Sequence, residues 1–110
     1  MRYEMLVGVS VTDRRVYEEY RSEIRPLLEA AGAAFRFDCE VSRVLKGEDA
    51  VSEVNRLFVL GFPSRAAKEA FFGDPAYREI RARLFEKSVQ KMVVLAEYSQ
   101  PEAEQRDGVS

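Results

Sequence analysis

The side chains that could do chemistry in this sequence are arginines, carboxylates and tyrosines, because the chain contains no histidine. Histidine is the commonest general base and the commonest metal ligand in proteins. Its absence excludes Ser-His-Asp and Cys-His catalysis and histidine-based zinc sites. The single cysteine, Cys39, has no histidine to activate it, so we expect a buried and inert thiol.

Charged residues alternate with apolar ones between residues 33 and 45. Arg36, Asp38 and Glu40 fall on one face of the strand that this alternation predicts. The core-facing side is predicted to carry Phe35, Phe37 and Cys39. If the charged face borders a cleft, its side chains could orient a polar ligand or act as acid and base. The competing interpretation is a solvated edge strand.

Tyrosines and a further arginine are the other candidates. The hydroxyl of Tyr77 could meet a ligand between helix and sheet, although such a tyrosine more often closes the core and bonds to the backbone. Tyr17 and Tyr20 have the same two interpretations, and we expect one in the core and the other at its rim. Arg56 could bind a carboxylate or form an ion pair at the end of a strand.

The apolar pattern predicts six elements in the order β-α-β-β-α-β, and these must position the candidates. The predicted strands span 3–11, 33–45, 54–62 and 89–98, and the predicted helices span 14–31 and 64–85, the second with a break at 73–75. Pro26 is expected to kink or restart the first helix. This order is typical of the ferredoxin-like fold, an α+β architecture whose four-stranded antiparallel sheet has its helices on one face. We predict one domain over residues 1–98 and a disordered tail over 99–110.

Apolar residues occupy both sides of two predicted strands, 57–62 and 92–96. The helices can cover only one face of the sheet, and the other would be an apolar patch larger than a monomer tolerates. We therefore predict a homodimer whose sheets pack face to face as a dimeric α+β barrel.

The charge balance and the missing motifs exclude several classes of function. Seventeen basic and nineteen acidic residues give a net charge of -2, which argues against a nucleic-acid surface and an anionic-membrane surface. No apolar run reaches transmembrane length and no leader pattern precedes the first strand, so we expect a cytoplasmic protein. The acidic residues Glu48, Asp49 and Glu53 lack a fixed ligand spacing and indicate a solvated loop. We predict no metal and no cofactor.

Four short motifs resemble the domain-of-unknown-function 1330 family, over residues 3 to 98. They are Val11-Thr12-Asp13, Leu45-Lys46-Gly47, Phe62-Pro63-Ser64 and Asp74-Pro75-x-Tyr77. The resemblance implies the dimeric α+β barrel superfamily, which includes cofactor-free monooxygenases, muconolactone-isomerase-like enzymes and heme-degrading relatives. It implies a dimer and no settled activity. Arg81 and Arg83 both flank the place where the family usually carries an arginine.

Two hypotheses about function follow, and no catalytic motif decides between them. In the first, a small dimeric protein binds an apolar or aromatic molecule in the cleft between helices and sheet. In the second, the protein is a cofactor-independent enzyme, of monooxygenase or isomerase type, that acts on a small organic substrate. The candidate ligand-binding residues are Arg36, Asp38, Tyr77, Tyr20, Arg56 and Arg81.

Overall fold

A computed structural model describes residues 2–100 of the chain. Its elements are β1 (Arg2–Val11), α1 (Arg14–Ala30), β2 (Ala34–Glu40), a 3-10 turn (Asp49–Glu53), β3 (Arg56–Phe62), α2 (Arg65–Gly73), α3 (Pro75–Ile80), a π-helical turn (Arg81–Phe85), α4 (Glu86–Ser88) and β4 (Val89–Gln100). The predicted order of strands and helices is confirmed. β4 extends two residues beyond the predicted domain boundary, and residues 101–110 of the predicted tail lie outside the described part of the chain.

The four strands form one antiparallel sheet in the order β2-β3-β1-β4, which is the ferredoxin-like arrangement. β1 and β3 are the central strands, and β2 is an edge strand. Alternate residues of the central strands pack with the helices in a single core: Met5, Val7, Val9, Phe58, Leu60 and Phe62. The helices therefore cover one face of the sheet, and we call the other face the open face.

Capping residues fix the ends of the helices where the sequence predicts them. The side chain of Asp13 accepts a hydrogen bond from the amide of Val16 at the start of α1, and Ser64 does the same for Ala67 in α2. Gly32 follows α1 with a φ of +71°, a backbone conformation that favours glycine at a helix end. The predicted restart of the helix at Pro26 is wrong, because α1 is one continuous helix, and the predicted kink stays a prediction. Pro26 lies on the exposed side, where water can serve the carbonyl that it leaves free.

β2 differs most from its prediction, because it ends at Glu40 rather than at residue 45 and it carries a bulge. Phe35 pairs with Leu60, whereas Phe37 pairs with Val59, so the alternation slips by one residue between them. A slip of one residue moves every later side chain to the opposite face.

The bulge corrects the predicted faces of β2. Asp38 pairs with the buried Phe58 and so faces the helices, while Arg36 lies beside Gly61 on the open face. The prediction that Arg36, Asp38 and Glu40 share one face is therefore wrong for Arg36. Phe37 is 51% exposed on the open face. Cys39 is on the same face and half-buried, so its predicted burial in the core is also wrong.

The open face of the sheet is apolar at its centre. Its half-buried members follow from the strand register: Leu6, Leu57, Val59, Val93 and Ala96. Phe37 adds an exposed aromatic ring at the β2 edge. The helices lie on the opposite face, and on the open face the 3-10 turn contacts β1 and β4.

Gly8 marks a close approach on the open face, as a glycine within a strand indicates. A Cβ atom at this position would lie 2.8 Å from Cγ2 of Val54. Val54 has little freedom to move, because the next residue, Asn55, donates its amide to the carbonyl of Val9 at 3.0 Å. Gly8 therefore lets the segment before β3 lie against β1.

We expect Gly8→Ala to lower the free energy of unfolding by about 1–3 kcal/mol, because the added methyl group overpacks a rigid contact. Adding Val54→Ala should cost less in the Gly8→Ala protein than in the wild type, since it removes the methyl groups that clash. Gly73→Ala is the control, because no atom lies within 4 Å of its Cβ position. The free energies of unfolding of the wild type and the four variants are measured by urea unfolding. Equal losses at Gly8 and Gly73, or strictly additive losses at Gly8 and Val54, would contradict this packing.

Candidate functional site

A cavity of about 740 Å³ lies in the cleft between the helices and the sheet. Its walls are mainly apolar and aromatic, and they include Met5, Ile24, Phe35, Phe58, Phe71 and Phe85. The strand residues reach it because the helix-facing positions of β1 and β3 alternate with those of the open face. The volume lies within the range of about 300–1,000 Å³ that is usual for small-molecule sites.

Three of the predicted site residues meet at this cavity: Tyr20, Tyr77 and Arg81. The hydroxyl groups of Tyr20 and Tyr77 are 2.9 Å apart, and Nη1 of Arg81 donates to the Tyr77 hydroxyl at 3.1 Å. The guanidinium group of Arg81 also lies over the ring of Phe85, 4.4 Å from its centre. We call these three residues the tyrosine–arginine cluster.

Local sequence places each member of the tyrosine–arginine cluster. Tyr20 lies on the buried stripe of α1, between Tyr17 and Ile24. Asp74 caps α3 through its side chain and Pro75 occupies the first helical turn, which fixes Tyr77 near the start of that helix. Arg81 follows Tyr77 by four residues, a spacing that places two side chains on the same face of a helix.

Both tyrosines of the cluster are buried, with Tyr20 6% and Tyr77 2% exposed. The hydroxyl of Tyr77 bonds to side chains rather than to the backbone. Tyr17 is also fully buried, so the expectation that either Tyr17 or Tyr20 lies at the rim of the core is wrong. The helical spacing of Tyr17 and Tyr20 predicts that they share a face of α1, but it does not predict how deeply each side chain is buried.

Burial raises the pKa of Tyr20, and the adjacent hydroxyl of Tyr77 raises it further. Burial also raises the pKa of Tyr17. Both phenols therefore stay neutral near pH 7. They can donate and accept hydrogen bonds in the cleft, but they cannot supply a phenolate base there.

A second cluster surrounds Asp38, which the bulge in β2 turns toward the helices. Arg21 donates to both carboxylate oxygens at 3.0 and 3.1 Å, and Arg56 does the same at the same distances. Arg56 also pairs with Glu18 at 3.0 Å. Burial favours the neutral form of Asp38, but the hydrogen bonds from Arg56 and Arg21 outweigh it, and its pKa is lowered. Asp38 is thus a saturated anion that ties α1 to β2 and β3.

Arg21 is the residue of this region that sequence reasoning missed. Its guanidinium group lies over the ring of Phe35 at 3.8 Å, and its Nε donates to the hydroxyl of Tyr17 at 3.0 Å. A charged residue beside the apolar stripe of a helix is usually expected to face solvent. Its spacing of four residues from Tyr17 was the signal that could have placed it at the cleft.

Arg36 lies apart from the other predicted site residues. It is on the open face, where its Nε is 3.7 Å from the carboxylate of Glu4. Glu53 of the acidic loop pairs with Lys91 at 2.8 Å. Within residues 2–100, no three Cys, Asp or Glu side chains lie close enough together to hold a metal ion. In the same range, no helix has both the length and the apolar character of a membrane-spanning segment.

We expect Asp38→Asn to lower the free energy of unfolding at pH 7 by about 1–3 kcal/mol, because it removes the counter-ion of Arg21 and leaves Arg56 with Glu18 alone. The two arginine side chains are only 12% and 13% exposed. The pKa of Asp38 is depressed in the folded protein, so its stabilisation is complete above the unfolded value of about 3.9 and is lost as the pH falls through the folded value. Urea unfolding between pH 7 and pH 3 should show the variant approaching the wild type at low pH.

Glu79→Gln provides the control for Asp38→Asn, because Glu79 forms an exposed pair with Arg83. The control should change stability by less than about 0.5 kcal/mol. A loss at Asp38 that stays constant down to pH 3 would contradict the ion-pair explanation.

Several solved structures resemble this chain. A protein of unknown function from Rhodopseudomonas palustris is 19% identical, with a TM-score of 0.74 over 92% of this chain and 83% of that chain. A dabb family protein with a ferredoxin-like fold from Mesorhizobium loti is 13% identical, with a TM-score of 0.62 over 92% of this chain and 98% of that chain. A dimeric ferredoxin-like protein of unknown function from Thermobifida fusca is 13% identical, with a TM-score of 0.60 over 91% and 92%. At these identities the likeness shows the fold alone.

No curated protein matches the chain. The family model for DUF1330, a domain of unknown function, matches residues 5–98. The match covers nearly all of the folded region and confirms the resemblance carried by the short motifs. The chain belongs to the DUF1330 family, whose function is not assigned, and it has the ferredoxin-like fold.

Proposed function

We propose that this protein binds a small, largely apolar or aromatic molecule in the cleft between its helices and its sheet. The observation that carries this proposal is the cavity of about 740 Å³ with the tyrosine–arginine cluster in its wall. A concave apolar site with a few convergent polar groups is the usual form of a small-molecule site.

Contacts among the wall residues hold the aromatic walls in place. The ring of Phe71 packs against that of Tyr77 with centroids 4.7 Å apart, and the ring of Phe85 packs against Tyr20 at 5.0 Å. Phe35 packs edge-to-face on Phe58 at 5.3 Å and is covered by Arg21. A ligand would therefore enter a site whose walls are already ordered, which reduces the entropy cost of binding.

The alternative of a cofactor-independent enzyme stays a prediction. The raised pKa values of Tyr17 and Tyr20 leave these phenols as hydrogen-bonding groups, and Asp38 is committed to two arginines. The side chains of the cleft are thus better suited to binding a ligand than to acid–base catalysis. The cytoplasmic location expected from the sequence also stays a prediction.

We further propose that two copies of the chain assemble through their open faces. The apolar centre of that face, around Leu6 and Val59, lies on the side of the sheet away from the helices. The ferredoxin-like protein from Thermobifida fusca is dimeric. A standard interface buries about 800 Å² per partner, an area that one face of a four-stranded sheet can supply.

Isothermal titration calorimetry with 2-naphthamide, a neutral aromatic probe, tests the ligand proposal. We expect one molecule bound per chain. Ala82→Trp should weaken binding at least tenfold, because Ala82 is an exposed residue in the cavity wall and an indole there would obstruct the cleft. Ala76→Trp is the matched control, since Ala76 is exposed on α3 outside that wall. Absence of binding to the wild type, or equal binding by both variants, would overturn the cleft as the site.

Sedimentation equilibrium tests the assembly. We expect the wild type to have twice the mass of one chain and Val59→Lys to be a folded monomer, because a charge at the centre of an apolar interface is costly to bury. Ala66→Lys, on the exposed side of α2, should remain a dimer. A monomeric wild type, or a dimer that tolerates Val59→Lys, would contradict assembly through the open face.

A further inference from the structure

The tyrosine–arginine cluster has more hydrogen-bond donors than its own acceptors can use. One O–H···O bond joins Tyr20 and Tyr77, so one of the two hydroxyl protons is used and the other remains. Arg81 cannot accept a hydrogen bond, and its contact with Tyr77 uses one of the five N–H groups of a guanidinium. Within residues 2–100, neither tyrosine hydroxyl has another hydrogen-bond partner besides Arg81.

The remaining hydroxyl proton is a donor without an acceptor among residues 2–100. Arg81 donates to Tyr77, which polarises the bond between the two hydroxyl groups. The side chains of both tyrosines are more than nine-tenths buried, so water has poor access to them from outside the cavity. A group that fills the cavity must supply an acceptor here, because an unmatched buried donor is costly.

The formal charges in the cavity wall also favour a ligand that accepts hydrogen bonds. Its basic wall residues are Arg21, Lys68, Arg78 and Arg81, against the acidic Glu69 and Glu86. Arg21 pairs with Asp38, Lys68 pairs with Glu97 and Glu69 pairs with Arg65. Within residues 2–100, Arg81 has no carboxylate at ion-pair distance. Of the remaining wall charges, which are Arg78, Arg81 and Glu86, Arg81 is the one that contacts the buried hydroxyl groups, and the three together leave the wall with one net positive charge.

We infer that the ligand of this cleft carries a carboxylate on an apolar, ring-containing body. The carboxylate accepts hydrogen bonds from the guanidinium group of Arg81 and from the remaining hydroxyl proton of the Tyr20–Tyr77 pair. The apolar body lies against the aromatic wall that includes Phe35 and Phe58. This inference rests on the proposed function, because it names the chemical class of the molecule that the cleft binds.

A carboxylate fits these donors better than the other common polar groups. It only accepts hydrogen bonds, and it offers two oxygens to a planar guanidinium. A neutral amide would bring two further donors to a place where donors are already in excess. A phosphate monoester would bring nearly two negative charges against the single cation of the cluster.

The test compares two probes of the same shape, 2-naphthoate and 2-naphthamide, by isothermal titration calorimetry at pH 7. We expect the carboxylate to bind the wild type at least tenfold more tightly than the amide. Arg81→Met should remove this preference and leave the affinity for the amide nearly unchanged. Arg83→Met is the matched control on the same turn, because Arg83 pairs with Glu23 and Glu79 outside the cavity wall. That variant should keep the preference.

Each result of the comparison decides one proposal. If neither probe binds the wild type, the proposed function fails and the inference fails with it. If both bind equally, or the amide binds more tightly, the cleft binds small molecules but the inferred carboxylate is wrong. If Arg81→Met keeps the preference, the carboxylate is bound elsewhere and the inferred site is wrong.

Tyr77→Phe gives an independent measurement that does not change the charge of the cleft. This variant loses the hydroxyl that links Arg81 to Tyr20, and the bond that orients the remaining donor is lost with it. We expect about tenfold weaker binding of 2-naphthoate with little change for 2-naphthamide. Equal losses for both probes would show a packing role for Tyr77 and would contradict its part in carboxylate recognition.

Discussion

The hydrogen bond between Tyr20 and Tyr77 is the interaction on which the cleft depends. Within residues 2–100 it is the one bond between two side chains that is fully buried, and it joins α1 to α3 at 2.9 Å. Neither phenol can leave the other without exposing a desolvated polar group to the apolar interior. Phe85 packs on Tyr20, and Phe71 packs on Tyr77. The pair therefore fixes the separation of the helices and, with it, the space between them and the sheet.

The ion pairs of Asp38 are a second interaction that connects the helices to the sheet beside the cleft. Asp38 receives hydrogen bonds from Arg21 on α1 and from Arg56 on β3, so a single carboxylate connects a helix with two strands. The lowered pKa of Asp38 keeps this connection ionised at neutral pH. The Tyr20–Tyr77 hydrogen bond and the Asp38 ion pairs together keep the helices separated from the sheet, so the cleft between them stays open. The helix-facing side of the sheet thus holds both a core and a cleft, while apolar side chains such as Val59 lie on the open face, through which we propose that two copies assemble.

Much of the fold could be predicted from the sequence because its signals are local. Helix starts at Asp13, Ser64 and Asp74 depend on side chains next to the ends that they cap, and the continuous apolar run of β3 is what a central strand needs. The bulge at Arg36 could not be predicted, because one extra residue in a strand leaves no mark in the composition. The alternation of apolar and charged residues fits a strand with the bulge as well as one without it. That single slip turned Asp38 toward the helices and Cys39 away from them. Arg21 was missed for a related reason, since a charged residue on a helix stripe suggests solvent until its aromatic partners are known.

A crystal structure of the protein with 2-naphthoate bound would test the account most directly. It is predicted to show the carboxylate within hydrogen-bond distance of Arg81 and of a hydroxyl of the Tyr20–Tyr77 pair, with the naphthalene ring in the cavity beside Phe58. The ligand on the open face, or its carboxylate at Lys68 with the tyrosine pair untouched, would contradict the account.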